Sequence, residues 1–67
     1  MFPNPSTNFI QITGLKQNEN YEIYNLRGVQ VSKGRISNDE KLFIDQLRNG
    51  VYFLTLDHRQ ALKFIKN

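Results

Sequence analysis

The side chains best suited to chemistry in this chain are one histidine, a pair of neighbouring carboxylates and three serines, and none has the company its chemistry needs. His58 stands between Asp57 and Arg59, and the sequence contains no second histidine and no cysteine. An imidazole can ligate a metal, but a zinc site needs three or four such ligands converging. His58 is therefore expected as an exposed turn residue. Asp39 and Glu40 are adjacent in a polar stretch. Carboxylates in that setting solubilise or cap, whereas glycoside hydrolysis requires two whose environments push their pKa values apart. Ser6, Ser32 and Ser37 lack a Gly-x-Ser-x-Gly setting, and there is no glycine-rich phosphate loop. The reading is no catalytic residue, no metal ligand set, no cofactor and no enzyme.

Chain length points the same way. A domain of 67 residues buries only about 60% of the surface its unfolded chain exposes. With 39% apolar residues, little material remains to wall a substrate pocket once a core is built. Without cysteine, no disulfide or thiolate metal site reinforces that thin core. The net charge of +3 invites a nucleic-acid reading. Its cations, however, fall mostly at turns and strand ends, interleaved with Glu19, Glu22, Asp39, Glu40, Asp45 and Asp57, as on a solvated mixed surface. No run of about 18 apolar residues offers a membrane-spanning helix. Residues Met1 to Asn8 have neither the apolar run nor the basic flank of a signal peptide.

The elements that must position these residues are strands. Alternation with period two recurs over Phe9 to Ile12, Tyr21 to Leu26, Val29 to Ile36, Leu42 to Ile44, Val51 to Leu56 and Leu62 to Ile65. No window sustains a helical apolar pattern over the ten to twelve or so residues it needs. The expected fold is all-β, a small immunoglobulin- or fibronectin-like sandwich of about six to seven short antiparallel strands. The tyrosines and phenylalanines, which could otherwise form a stacking platform, are needed as core. Leu26-Arg27-Gly28 predicts a tight hairpin with Gly28 at positive φ. Ser37 to Glu40 predicts a polar loop, and Asp57 to Gln60 a final hairpin without glycine.

Leu47-Arg48-Asn49-Gly50-Val51-Tyr52 admits two readings. Asn49-Gly50 suits an ordinary two-residue hairpin loop. The preferred reading is a crossover between sheets, with Leu47 plugging the core, Gly50 at an unusual backbone angle and the Tyr52 hydroxyl returning to the backbone a few residues upstream.

Read in order, the chain presents Phe2-Pro3-Asn4-Pro5, then Tyr24-Asn25-Leu26-Arg27-Gly28 with Val31, then Leu42-Phe43-Ile44, then Leu47 to Leu54, then Lys63-Phe64-Ile65-Lys66. This succession resembles the C-terminal sorting domains of the type IX, or Por, secretion system of Bacteroidetes, and the resemblance spans Phe2 to Asn67, nearly the whole chain. It implies one sorting domain over residues 1–67, with 1–7 as lead-in from a cargo linker. It further implies an upstream cargo protein exported to the periplasm, recognition by the outer-membrane translocon, and processing by a sortase-like peptidase with secretion or cell-surface attachment. The residues implied as sorting motif are Pro3, Asn4, Pro5, Tyr24, Asn25, Gly28, Leu47, Gly50, Tyr52, Lys63, Phe64, Ile65 and Lys66.

Physical chemistry is consistent with those roles. Pro3 and Pro5 lack N–H donors and suit a stiff lead-in outside any central ladder. Lys63 and Lys66 read as the charges of a protected, accessible edge strand that a receptor can extend. Two departures stand out: Asp45 occupies a position where members often carry Ser, and the last turn lacks the usual glycine, which leaves the register of the final hairpin open. The rival from another class is a carbohydrate-binding or adhesive β-sandwich, which requires coplanar exposed aromatic rings. A nucleic-acid module requires a continuous basic stripe.

Overall fold

The computed structural model describes residues 8–57 and 59–67, with Arg59 and Gln60 described for their backbone only. Pro3, Asn4, Pro5, the expected lead-in and His58 lie outside the described residues. Six strands follow in order: β1 Phe9–Gln11, β2 Glu19–Asn25, β3 Gln30–Ile36, β4 Lys41–Phe43, β5 Gly50–Leu56 and β6 Arg59–Lys66. They form two antiparallel sheets, β1-β4 and β3-β2-β5-β6. The all-β fold expected from the period-two alternation is the fold observed.

Alternation decides which face is buried. Tyr21 and Ile23 on β2, Tyr52, Leu54 and Leu56 on β5 and Phe64 on β6 turn inward, where Ile10 and Ile12 meet them together with Ile36 and Ile44. Leu15, in the β1–β2 connection, completes the core, and Leu42, Leu47 and Leu62 close its margin. At about 1.5–3 kcal/mol for each fully buried large side chain, these positions carry the stability of a chain without disulfides.

Every strand departs from its expected bounds at one end or both, and three of the starts show why. β2 begins at Glu19 rather than Tyr21, because Glu19 and Asn20 pair with Ile36 and Arg35. β3 begins at Gln30 rather than Val29. β6 begins at Arg59 rather than Leu62, because the ladder with β5 runs to the pair Leu56↔Arg59. In each case backbone pairing continues, or stops, irrespective of side-chain polarity. The register left open for the final hairpin is thereby defined, with an irregularity between Leu54 and Leu56.

The hairpin at Gly28 forms as its residues predict. Asn25 and Val29 pair through the Asn25 N–H, and the Gly28 N–H donates to the Asn25 carbonyl, both at 3.0 Å. The Asn25 side chain then accepts from the N–H groups of Arg27 and Val29 at 2.9 and 3.0 Å. Gly28 has φ 79°, a conformation that costs other L-residues about 1–2 kcal/mol. The polar loop likewise closes on itself: Glu40 Oε1 accepts from the Ser37 N–H and hydroxyl at 2.9 and 3.0 Å.

Of the two readings for Leu47 to Tyr52, the crossover is the one observed. The chain passes from β4 in the small sheet to β5 in the large one, and the Tyr52 hydroxyl donates to the Arg48 carbonyl at 2.7 Å. Leu47 packs against the core, and Gly50 has φ 156°, at the border of the extended region. A contact not anticipated from the sequence involves Gly34, paired with Tyr21. A Cβ at Gly34 would stand 2.9 Å from the Tyr21 ring, so the absence of a side chain is what lets the ring lie there.

Two measurements check this account. Tyr52→Phe keeps the ring and loses the hydroxyl bond, and should lower unfolding free energy by about 1 kcal/mol in denaturant titration. Gly50→Ala and Gly50→Val should each cost on the order of 1–3 kcal/mol. Because nothing lies within 4 Å of a Cβ at Gly50, strain is backbone strain and the two losses should agree. A much larger loss for Val would mean that sterics, not φ, govern the site.

Candidate recognition surface

The implied sorting residues separate into two groups once their surroundings are known. Asn25 and Gly28 build the β2–β3 turn, while Leu47, Gly50 and Tyr52 build the crossover. Phe64 is fully buried, and its ring stacks on that of Tyr52, its partner across the β5–β6 ladder, at 5.6 Å and 22°. These residues serve the fold of the domain; Tyr52 and Phe64 are buried, Asn25, Leu47 and Gly50 half-buried, and Gly28 is exposed in its turn.

Lys66 requires a correction. It was expected among the accessible charges of the last strand, but is only 8% exposed, with Nζ donating to the Asn67 carbonyl at 3.2 Å. The cause is parity: Phe64 faces the core, so Lys66, two residues on, faces the same side. Lys63 is exposed as expected, and β6 is an edge of the large sheet.

Tyr24, Lys63 and Ile65 form the second group, on the outer face of the large sheet. Pairing sets Tyr24 beside Phe53, Phe53 beside Lys63, and Val51 beside Ile65. Lys33 and Arg35 extend this face onto β3, opposite Glu22 and Asn20. A recess between β2, β3 and β5 is lined by residues that include Glu22, Tyr24, Lys33, Arg35 and Thr55. The Tyr24 hydroxyl is held above the usual tyrosine range, first by desolvation and then by the hydrogen bond and charge of Glu22. Sequence reasoning singled out Tyr24, Lys63 and Ile65 but missed Val51, Phe53, Lys33 and Arg35 as their neighbours. The signal was available in β5, whose residues are apolar at consecutive positions from Val51 to Leu54.

The outer face of the small sheet is different. Phe9 and Phe43, paired across β1 and β4, meet edge to face at 6.3 Å and 60°, and Lys41 Nζ lies 4.9 Å from the Phe9 ring centre. These are not the coplanar rings that a sugar platform requires. Among the described residues, no group of three or more His, Cys, Asp and Glu gathers as a metal site, and no helix is long and apolar enough to cross a membrane.

A family model described as the secretion system C-terminal sorting domain matches residues 1–67, the entire sequence. No curated protein and no solved structure matches the chain. With the motif order, the two-sheet fold and a match over every residue in agreement, the chain belongs to the type IX secretion C-terminal sorting domains of Bacteroidetes, whose members are the signals that direct an attached cargo protein to secretion or the cell surface.

Proposed function

We propose that this domain travels to the periplasm attached to its cargo, is recognised there in the folded state by the outer-membrane translocon, and is then removed by a sortase-like peptidase, so that it is a substrate throughout and never a catalyst. The observation that carries the reading is the family match over residues 1–67 together with the fate of the motif residues. Asn25, Gly28, Leu47, Gly50, Tyr52 and Phe64 serve turns, crossover and core, which supports a domain that presents a defined surface. Recognition of a folded surface suits a domain whose strands are locked by long-range pairing, since the outer-face side chains share one side only when the register is correct.

Export of a reporter tests the reading directly. A fluorescent protein carrying a signal peptide and this domain should reach the medium or cell surface of a type IX-competent host, and remain periplasmic when the domain is omitted. Equal distribution of the two would refute the sorting role, and loss of the size shift in a host without the sortase-like peptidase would establish processing. Removing Lys63 to Asn67 should abolish export and the cooperative thermal transition together. Phe64 is fully buried, so the loss of its burial alone, about 1.5–3 kcal/mol, falls on a thin core. Export lost by a truncated domain that still melts like the parent would contradict this.

A further inference from the structure

Strand β5 is apolar on both of its sides. Tyr52, Leu54 and Leu56 face the core, while Val51 and Phe53 face outward and are only partly covered. Strands with apolar residues at successive positions are characteristic of sheets covered on both faces, yet the small sheet covers only one face of this one. The neighbours of β5 extend the outward apolar strip: Tyr24 lies beside Phe53 and Ile65 beside Val51. At the same end of the sheet the β2–β3 hairpin exposes Leu26 at 70%, Val29 at 54% and, where the ladder is bulged, Val31 at 40%. Apolar surface of this kind, rimmed by charge, marks an interaction site.

The rim identifies the occupant. Lys33 and Arg35 stand along β3 on one side, Lys63 on β6 on the other, and Arg27 in the turn; the opposing charges are Glu22 on β2 and Asp57 beyond β5, so cations predominate. A second copy of the chain would bring the same cations against each other across the strip, and like-charge juxtaposition opposes such pairing. A bilayer would meet the cations, but interfacial anchors bury apolar side chains about 5–10 Å deep. Leu26 and Val29 stand out at the hairpin, but Tyr24, Val51 and Phe53 lie half-covered on the sheet, so a bilayer would engage the turn and leave the strip itself uncovered.

We propose that the outer face of β2, β5 and β6, with Tyr24, Val51, Phe53 and Ile65 framed by Lys33, Arg35 and Lys63, is the surface by which this sorting signal docks onto a protein of the export machinery presenting an apolar centre edged by carboxylates. The inference rests on the sorting role above and locates its recognition face away from the backbone edge of β6. Aromatic residues and Arg at the centre and margin of the contact, with complementary charge, fit the anatomy of protein interfaces. On the small sheet Phe43 is more exposed, but its apolar surface is one ring set edge to face on Phe9, which Lys41 covers, and it does not continue across several strands.

The test compares two double variants in the reporter fusion with a signal peptide. Lys33→Glu with Lys63→Glu reverses the frame, and Lys16→Glu with Lys41→Glu changes net charge equally away from it. The first should reduce export at least tenfold, the second should export like the parent, and both should melt like the parent. If the first fails to fold, Lys33→Gln with Lys63→Gln replaces it. Parent-like export from a folded frame variant, or equal loss from both variants, overturns the inference. Failure of the unmodified fusion in a host that still exports its own cargo overturns the sorting role itself, which is a separate result. A photoreactive phenylalanine analogue placed at Tyr24 should form a discrete protein adduct during export that the frame variant loses, while one at Phe43 forms none. Adducts from Phe43 alone would move recognition to the other sheet. Co-sedimentation of the parent with phosphatidylglycerol vesicles, lost in the frame variant, would assign the face to a membrane. A parent dimer in analytical ultracentrifugation that the same variant abolishes would assign it to self-association. Either result overturns a protein partner.

Discussion

The hydrogen bond from the Tyr52 hydroxyl to the Arg48 carbonyl, 2.7 Å long, ties together the parts of this domain that have least to hold them. Residues 44–49 leave the small sheet and enter the large one without strand pairing. A connection of that kind carries backbone groups that must be satisfied individually. Tyr52 reaches back four residues to satisfy one of them, while its ring stays in the core against Phe64. One side chain therefore fixes the crossover and anchors the terminal strand. Aromatic stacking adds about 0.5–1.5 kcal/mol to the area such rings bury, a substantial share of the marginal stability of a small domain.

That economy explains why Asn25, Gly28, Leu47, Gly50, Tyr52 and Phe64 have structural roles. A 67-residue chain without cysteine must obtain its register from turn chemistry and a few buried contacts. Asn25 satisfies two N–H groups of the turn, Gly28 takes a left-handed conformation, and Gly50 takes φ 156° at the entry to β5. Each is required for a geometric reason before any partner is considered. Such residues hold the register: a slip of one residue in a strand would exchange its core and solvent faces.

The sheet edges show the complementary constraint. β3 is exposed along much of its length, with Ile36 as its buried residue, so it contributes little to the core. Lys33, Arg35 and the bulge near Val31 make it a poor template for another strand. At the opposite edge β6 carries Phe64 into the core and holds Lys63 in solvent. The unusual feature is the strip between those edges, where Val51 and Phe53 leave apolar surface half-covered.

The alternation of apolar residues was enough to read six strands and an all-β fold from the sequence, because burial on one face of a strand repeats every second residue regardless of the partner. Turn chemistry was equally local: Asn25 to Gly28 and Leu47 to Tyr52 contain within a few residues the groups that close on each other. Strand ends were less legible, because the pairing of Glu19 with Ile36 and of Leu56 with Arg59 depends on a partner chain segment and not on polarity. The same limit governed the candidate surface. Lys66 has the composition of an accessible edge charge, and only its parity with Phe64 in the folded strand turned it inward. Tyr24, Phe53 and Lys63 are far apart in the chain, and only the order β3-β2-β5-β6 makes them neighbours. The sequence by itself determined the strands and their turns, since these follow from interactions over a few residues. Tertiary structure alone decided which side chains share an exposed face, since that follows from long-range register.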